Sequence, residues 1–178
     1  MEHKTCVAWG ITGAGHFLAG CAEVVAGLPD VHLFLSRAAE EVVRMYGLEA
    51  RLAGGARRIY HESRTGASAP PVARFFRGEY DCLVVAPATG NSTAKFVHGI
   101  ADSLITNLFA QAGKSRVPVI VLPTDVAPEI DSPGPGGELV TVFPRPVDLE
   151  MVARLCSFPG VTVVSSLDEL RGALEALA

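Results

Sequence analysis

Short runs of apolar, mostly β-branched residues recur along the chain, and segments of helical length separate them. The runs are continuously apolar rather than alternating, which is typical of strands buried on both faces of a parallel sheet. Strand alternating with helix predicts right-handed βαβ units and an α/β fold, a three-layer α/β/α sandwich with a mainly parallel sheet. The predicted strands span residues 7–9, 31–35, 82–86, 119–122 and 161–164, and the predicted helices span 17–28, 38–46, 93–112, 149–156 and 167–177.

Other segments are less regular. Residues 58–60 and 139–143 predict two further strands near an edge of the sheet. The loops 61–71 and 123–137 are too long and too rich in turn-forming residues to be simple connections. Each loop is interpreted either as a substrate lid or subunit contact, or as a surface excursion without function.

The size and charge of the chain limit its partners. With 178 residues, 49% of them hydrophobic, the chain is expected to form a single domain spanning 1–178. The net charge of -4 provides no electrostatic footprint for nucleic acid or an anionic membrane, so a small molecule or protein partner is expected. Gly10, Gly13 and Gly15 interrupt the first apolar stretch before it reaches signal-peptide or membrane-span length, which indicates a cytoplasmic protein.

The cysteines occur singly, without a C-x-x-C pair and without a histidine at ligand spacing. This pattern favours reduced core residues and predicts no metal site. His32, inside a predicted strand, is interpreted as a structural residue. The four cysteines of the chain are Cys6, Cys21, Cys82 and Cys156.

The glycine-rich segment GITGAGHFLAG, residues 10–20, directly follows the first apolar run. Its glycines allow backbone N–H groups to approach an anion, and a helix predicted to begin near His16 adds its positive dipole end, so a phosphate site is favoured. The dinucleotide fingerprint G-x-G-x-x-G requires glycine where Leu18 stands, and the second strand ends in Ser36 and Arg37 instead of an acidic residue. A conventional NAD site is therefore not expected, although Arg37 suits the 2′-phosphate of NADP.

Small polar residues also follow two later strands. In an open parallel sheet, ligands bind beyond the carboxyl ends of the strands. Residues 87–93 read PATGNST and open a predicted long helix, for which Asn91 or Ser92 is the expected N-cap. The next strand ends in Pro-Thr-Asp, residues 123–125. Three such ends converging on one crevice suit a phosphorylated, partly aromatic cofactor such as flavin mononucleotide (FMN).

Residues 86–112, APATGNSTAKFVHGIADSLITNLFAQA, resemble the flavin-binding segment of the homo-oligomeric flavin-containing cysteine decarboxylase superfamily of flavoproteins. That segment has a P-A-[TS]-x-N-[ST]-x-x-K core followed by G-[IL]-[AC]-D-x-L-[LI]-T-N. The resemblance implies a Rossmann-like sandwich, FMN as cofactor, and a homo-oligomer built from trimers with the flavin near a subunit contact. His16 is expected to touch either the flavin alone or the substrate as well. The other implied FMN contacts are Thr12, Gly13, Ala14, Gly15, Ser36, Ala88, Thr89, Gly90, Asn91, Thr93, Asp102, Ser103 and Thr124.

The chain differs from the superfamily pattern at positions that distinguish one reaction of the superfamily from another. Residues 72–76 read VARFF where the decarboxylases carry a histidine, and residues 122–128 read LPTDVAP where they carry P-x-M-N-x-x-M-W. These differences argue against cysteine decarboxylation, and a mismatch at residues 88–91 argues against prenyl-flavin synthesis. The opening WGITGAGHFL, the PTD segment and residues 147–170, VDLEMVARLCSFPGVTVVSSLDEL, resemble the branch that contains archaeoflavoproteins and FMN-dependent dihydromethanopterin reductases (acceptor type).

This branch implies an oxidoreductase in which FMN passes a hydride to dihydromethanopterin, or to a related dihydropterin, by a ping-pong reaction. No side chain need be catalytic, and His16, His61 or Asp125 is available to deliver a proton. The electron donor is left open among reduced nicotinamide, ferredoxin and a second flavoprotein. Two alternatives are a flavin electron-transfer protein and a non-enzymatic NADP-binding or nucleotide-binding module that uses Arg37.

Overall fold

The computed structural model describes residues 5–68 and 70–177 and has a six-stranded sheet at its centre. Its strands are β1 (Val7–Ile11), β2 (Val31–Leu35), β3 (Arg58–His61), β4 (Cys82–Ala88), β5 (Val119–Pro123) and β8 (Val161–Val163). The spatial order is β3-β2-β1-β4-β5-β8, and every neighbouring pair is parallel. The central strands are continuously apolar because helices cover both of their faces.

Helices on both faces of this sheet produce three layers, so the predicted α/β/α Rossmann-like sandwich is confirmed. Side chains alternate along each strand, and Trp9 therefore points into one core while Ala8 and Phe34 point into the other. The first core is covered by α1 (Leu18–Gly27), α2 (Arg37–Met45), α3 (Glu49–Gly55) and α8 (Leu167–Glu175). The second is covered by a 3-10 helix (Pro70–Arg77), α5 (Gly90–His98), α6 (Leu104–Lys114) and α7 (Pro146–Leu155), and the short α4 (Glu62–Thr65) follows β3.

Both additional strands are present, but only one of them joins the central sheet. β3 forms its edge, which confirms the prediction for 58–60. β7 (Leu139–Val142) instead pairs antiparallel with β6 (Ile130–Pro133) in a separate hairpin, so its predicted place near an edge of the sheet is wrong. The hairpin is built from residues of the second long loop and those that follow it.

The predicted helix over 93–112 is wrong in one respect, since two helices occupy this segment. Gly99 ends α5 with a left-handed φ of 69°, which favours glycine because it has no Cβ. Ser103 then begins α6 through a capping box, in which its side chain and that of Thr106 each accept the other's backbone N–H.

None of the described helices combines the length and the apolar composition that crossing a membrane requires.

The cysteines differ in their surroundings. All four are free thiols, but only Cys21 and Cys82 are buried. Cys6 is half-buried just before β1, and Cys156 is exposed at the end of α7. The prediction that all four belong to the core is therefore wrong for these two residues.

Candidate functional site

The carboxyl ends of β1 and β4 meet at the centre of the sheet. The order runs from β1 to β2 and β3 on one side, and from β4 to β5 and β8 on the other, so the strand order reverses between β1 and β4. Ligands of open parallel sheets bind at such a reversal. Two cavities lie here, of about 420 Å³ and about 310 Å³, and both are lined by Gly13, Thr89 and Asn91. We name the larger the Ser36 cavity and the smaller the His16 cavity.

Hydroxyl groups and two cations characterise the Ser36 cavity. Ser36 is the N-cap of α2, and its Oγ accepts the N–H of Ala39 at 3.1 Å. The hydroxyl hydrogen of Ser36 is thereby left free to be donated. Arg37 and Lys95 contribute positive charge to the same lining. Donors and cations in one cavity suit an anionic group.

A buried carboxylate, Glu62, joins two helices at the Ser36 cavity. Its exposed fraction is 7%. Oε2 accepts the N–H of Arg37 at the start of α2 at 2.9 Å, and Oε1 accepts the N–H of Leu104 at the start of α6 at 2.8 Å. Helix N-termini have unpaired N–H groups and partial positive charge, so one carboxylate satisfies both ends. Sequence reasoning missed Glu62, although its place directly after a predicted edge strand was an available signal.

Thr12 ties the loop after β1 to the loop after β4. Its hydroxyl donates to the carbonyl of Pro87 at 3.0 Å and accepts the N–H of Thr89 at 2.8 Å. Gly13 brings the same loop against the start of α2, since a Cβ at this position would lie 2.6 Å from the Cβ of Ala38. This close approach requires glycine.

Thr89, rather than Asn91 or Ser92, is the N-cap of α5. Its Oγ1 accepts the N–H of Ser92 at 3.2 Å, so the expected cap at Asn91 or Ser92 is wrong. The side chain of Asn91 instead accepts a hydrogen bond from Arg145 at 3.2 Å. Asn91 therefore connects α5 to the segment before α7.

Asp125 places a fixed carboxylate in the His16 cavity. Its Oδ2 accepts the N–H of Gly90 at 2.7 Å and the hydroxyl of Thr124 at 3.0 Å. The first of these bonds lies at the N-terminus of α5, where a negative charge is favourable. The carboxylate is thus oriented by α5 and by the end of β5 together.

An ion pair at the start of α7 also lines the His16 cavity. Arg145 donates from Nε and Nη2 to the two oxygens of Asp148 at 2.9 and 2.7 Å. These bonds lower the pKa of Asp148 below its ordinary value, although the residue is only 6% exposed. Sequence reasoning did not identify either residue as part of the site. The available signal was Pro146, a proline at the first helical position, preceded by Arg145 and followed by an acid.

His16 supplies the imidazole of its cavity. Burial lowers its pKa, and the negative charge of Asp125 opposes this shift in part. Within the described structure, Nδ1 is buried without a hydrogen-bond partner. The chain turns into α1 at Phe17, whose φ is 65° and whose ring centroid lies 4.0 Å from that of His16. A neutral ring with an unpaired nitrogen is suited to contact with a ligand.

The structure brings most of the predicted FMN contacts together. Three of them line neither cavity as described: Ala88 and Thr93 are fully buried, and Asp102 is exposed and pairs with Lys95 at 2.7 Å. His61, considered as a proton source, also lies outside both linings and faces Glu40. The predicted contacts in the Ser36 cavity are Thr12, Gly13, Ser36, Thr89, Asn91 and Ser103, and those in the His16 cavity are Gly13, Ala14, Gly15, His16, Thr89, Gly90, Asn91 and Thr124.

The chain is similar to known proteins over most of its length. The family model described as Flavoprotein matches residues 1–177. The dihydromethanopterin reductase (acceptor) of Methanosarcina mazei is 49% identical over 140 residues, which cover 72% of this chain and 59% of that protein. The protein of the same name from Methanocaldococcus jannaschii is 43% identical over 130 residues, which cover 67% of this chain and 53% of that protein. The match thus spans a little more than half the length of each of these two relatives.

A solved structure matches nearly the whole chain. DmrB from Burkholderia xenovorans, in complex with FMN and described as a cubic protein cage for redox transfer, is 38% identical and has a TM-score of 0.86. The match covers 99% of this chain and 96% of that chain. The resemblance inferred from the glycine loop and the PATGNST segment is confirmed, and the chain belongs to the flavoprotein family.

Proposed function

We propose that this chain binds FMN across the Ser36 and His16 cavities and uses it to reduce dihydromethanopterin, or a related dihydropterin, to the tetrahydro form. The observation that carries the proposal is the junction of two chemically different cavities at Gly13, Thr89 and Asn91. FMN has a phosphate at one end and a ring rich in hydrogen-bonding atoms at the other, so it matches this pair of cavities. The names of the two archaeal relatives and the FMN complex of DmrB support the same reaction and cofactor.

The Ser36 cavity suits the phosphate of FMN. Arg37 and Lys95 supply positive charge, and Ser36 has a hydroxyl hydrogen free to donate. Ser92 is in a similar state, because its Oγ accepts the hydroxyl hydrogen of Thr89 at 3.0 Å and its own hydrogen remains. The N-termini of α2 and α5 add partial positive charge next to these groups.

The His16 cavity suits the ring end of the cofactor together with the acceptor. When bound, FMN supplies the hydride that the acceptor takes up. The chain contributes Asp125 and Asp148 as hydrogen-bond acceptors and His16 as a neutral imidazole. In this proposal the two carboxylates orient N–H groups of the ligands, and His16 or Asp125 relays a proton from solvent to the reduced nitrogen. Ile130 and Val142 of the hairpin exclude water from the same space.

A homo-oligomer built from trimers is part of the proposal. Apolar side chains extend from the hairpin to α7, and Leu139, Phe143 and Val147 are 70%, 68% and 45% exposed. Clustered apolar exposure of this kind marks a protein interface. We expect light scattering on the purified protein to give a multiple of three subunits, and a monomer at all concentrations would contradict this assembly.

The first experiment is spectroscopic. Purified protein, reconstituted with FMN where necessary, is reduced and mixed anaerobically with dihydromethanopterin. We expect flavin absorption to return while an equal amount of tetrahydromethanopterin forms. If the flavin stays reduced, dihydromethanopterin is not the acceptor, and the alternative of a flavin electron-transfer protein is favoured. A chain that binds no flavin after reconstitution would favour the NADP or nucleotide module.

Steady-state kinetics test whether donor and acceptor use the site in turn. With reduced nicotinamide, ferredoxin or a second flavoprotein as the donor, reciprocal plots at several fixed donor concentrations are expected to be parallel. Intersecting lines would mean that donor and acceptor are bound at the same time, and the ping-pong order would be rejected.

A further inference from the structure

The pairing of β1 with β2 brings three different side chains together at the amino edge of the sheet. The register aligns Val7 with Val31, so Cys6 and Asp30, the residues just before them, are also neighbours. Residues two apart on a strand face the same side. Asp30 and His32 therefore point to one face of the sheet, beside Cys6.

The donor atoms of these residues are close enough to converge on one ion. One atom from each of Cys6, Asp30 and His32 lies within 4.8 Å of the other two. Thiolate, carboxylate and imidazole are the ligands that zinc prefers, at roughly 2.0 to 2.3 Å from the metal. Ligands of a tetrahedral ion are about 3.5 Å apart on this geometry, so inward movements of about 1 Å would complete the set.

Asp30 provides a second and independent observation. Its side chain is only 8% exposed, and Oδ2 accepts a hydrogen bond from Arg57 at 2.8 Å. Within the described structure, Oδ1 is buried and has no hydrogen-bond partner. A buried carboxylate oxygen without a partner is destabilising, and a cation beside it would remove that cost.

His32 is also arranged as a ligand. Its Nδ1 lies 2.9 Å from the hydroxyl oxygen of Tyr80, which leaves Nε2 for an ion. Histidine ligands of metals commonly donate their second N–H to an oxygen in this way.

Nearby arginines do not prevent cation binding. Arg57, Arg58 and Arg74 line the same recess of about 380 Å³. Arg57 is paired with Asp30, and Arg74 lies 3.4 Å from Glu79, so two of the three positive charges are compensated. The recess also contains the Asp81 carboxylate, so its three carboxylates balance its three arginines before the thiolate of Cys6 is counted.

We propose that Cys6, Asp30 and His32 bind one zinc ion, with water from the recess as the fourth ligand. The site lies one strand length from the cofactor cavities, roughly 16 Å for the five residues of β1. At this distance the ion stabilises the pairing of β1 with β2 at their amino ends and takes no part in the reaction.

Zinc titration of the full chain, stripped with a chelator and monitored with a competing chromophoric chelator, tests the site. We expect one zinc per chain, and cobalt(II) in its place should give thiolate-to-cobalt charge-transfer absorption. Cys6→Ser is expected to weaken zinc binding at least about tenfold and to abolish that absorption. Cys156→Ser, which changes an exposed thiol elsewhere, is the matched control and should behave like the unmodified chain. Absence of zinc binding, or equal binding by Cys6→Ser, would overturn the proposal.

A second measurement needs no variant and applies even where Cys6→Ser does not fold. Iodoacetamide is added to the stripped chain with and without one equivalent of zinc, and alkylation of each cysteine is followed by peptide mass spectrometry. Zinc is expected to slow alkylation of Cys6 several-fold while the exposed Cys156 reacts at an unchanged rate. Equal rates for Cys6 in both samples would overturn the site.

Discussion

The two cavities at the carboxyl edge hold their charged groups in opposite ways. In the Ser36 cavity, both oxygens of Glu62 are bonded to helix N–H groups, so the cationic side chain of Arg37 remains for a ligand, and Lys95, which pairs with Asp102, adds a second positive charge. In the His16 cavity, the cation Arg145 is bonded to Asp148, and the carboxylate of Asp125 lies beside a neutral imidazole. One cavity therefore favours an anion and the other favours N–H donors.

This contrast indicates how one crevice can accommodate both ends of a cofactor such as FMN. The phosphate end needs cations and hydroxyl donors, whereas a flavin or pterin ring presents N–H groups that need acceptors. Substitutions that change one cavity at a time test this contrast.

Glu62→Ala is expected to have the largest effect. It leaves two helix N–H groups without their charged partner, one of them buried, and should lower the free energy of unfolding by about 3 kcal/mol. Urea denaturation measures this change. Glu23→Ala removes an exposed carboxylate 3.4 Å from Arg51 and should change stability by less than about 0.5 kcal/mol. A loss below about 1 kcal/mol for Glu62→Ala would mean that water replaces the carboxylate at both helices.

Arg37→Gln should weaken FMN binding about tenfold, because one charge-assisted hydrogen bond to phosphate is lost. Riboflavin, which has no phosphate, serves as the control ligand and should bind Arg37→Gln as well as it binds the unmodified chain. Fluorescence quenching titrations with both flavins measure the two affinities. Equal losses for FMN and riboflavin would place the phosphate outside the Ser36 cavity.

The pH dependence of stability tests the neutral state of His16. Burial holds its folded pKa below 6.5, so the unfolded chain takes up this proton first as the pH falls. The stabilisation from a neutral His16 is therefore present above about pH 6.5 and is lost as the pH decreases below it. His16→Gln should flatten this part of the curve, as measured by urea denaturation at about pH 7.5 and about pH 5.5.

The same titration can be followed at the imidazole itself. Asp125 raises the His16 pKa against burial, so Asp125→Asn should move it further down. Nuclear magnetic resonance titration of the ring protons measures the shift. A His16 pKa that is unchanged or higher in Asp125→Asn would show that the two groups do not interact across the cavity.

Tyr46→Phe should have the smallest effect. The Tyr46 hydroxyl donates to the Pro133 carbonyl at 2.9 Å and joins α2 to the hairpin at an exposed position. Its loss should cost less than about 1 kcal/mol while hydrogen exchange in the hairpin accelerates. FMN affinity is expected to stay unchanged, because Tyr46 lines neither cavity as described. A large loss of flavin would show that the hairpin helps to hold the cofactor.

The positions of the central strands and most of the residues that line the two cavities were predictable because their signals are local. Continuous apolar runs identify buried strands, and the residues directly after them, such as Thr12, Ser36 and Thr89, must lie at the carboxyl edge. Glu62 was missed because its role depends on two helices that become neighbours only in the folded chain. The bond between Asp148 and Arg145 is local, but the place of this pair in the His16 cavity depends on the contact of Arg145 with Asn91 of α5.

Strand register explains why the sequence did not indicate the proposed zinc site. Cys6 is separated from Asp30 and His32 by more than 20 residues, which matches no metal-ligand spacing, and only the alignment of β1 with β2 makes them neighbours. Boundaries such as the break after Gly99 were missed for a different reason. A glycine inside an apolar helical pattern is compatible with one helix or with two.

Thr12 has a practical consequence for protein engineering. Its hydroxyl joins two loops whose bonded residues are 77 positions apart, and each of those loops lines both cavities. Loop grafting from a relative would therefore fail if only one loop were exchanged, since the incoming loop would lose its hydrogen-bond partner. The transferable module for a new substrate or a new flavin is the pair of loops together with this threonine.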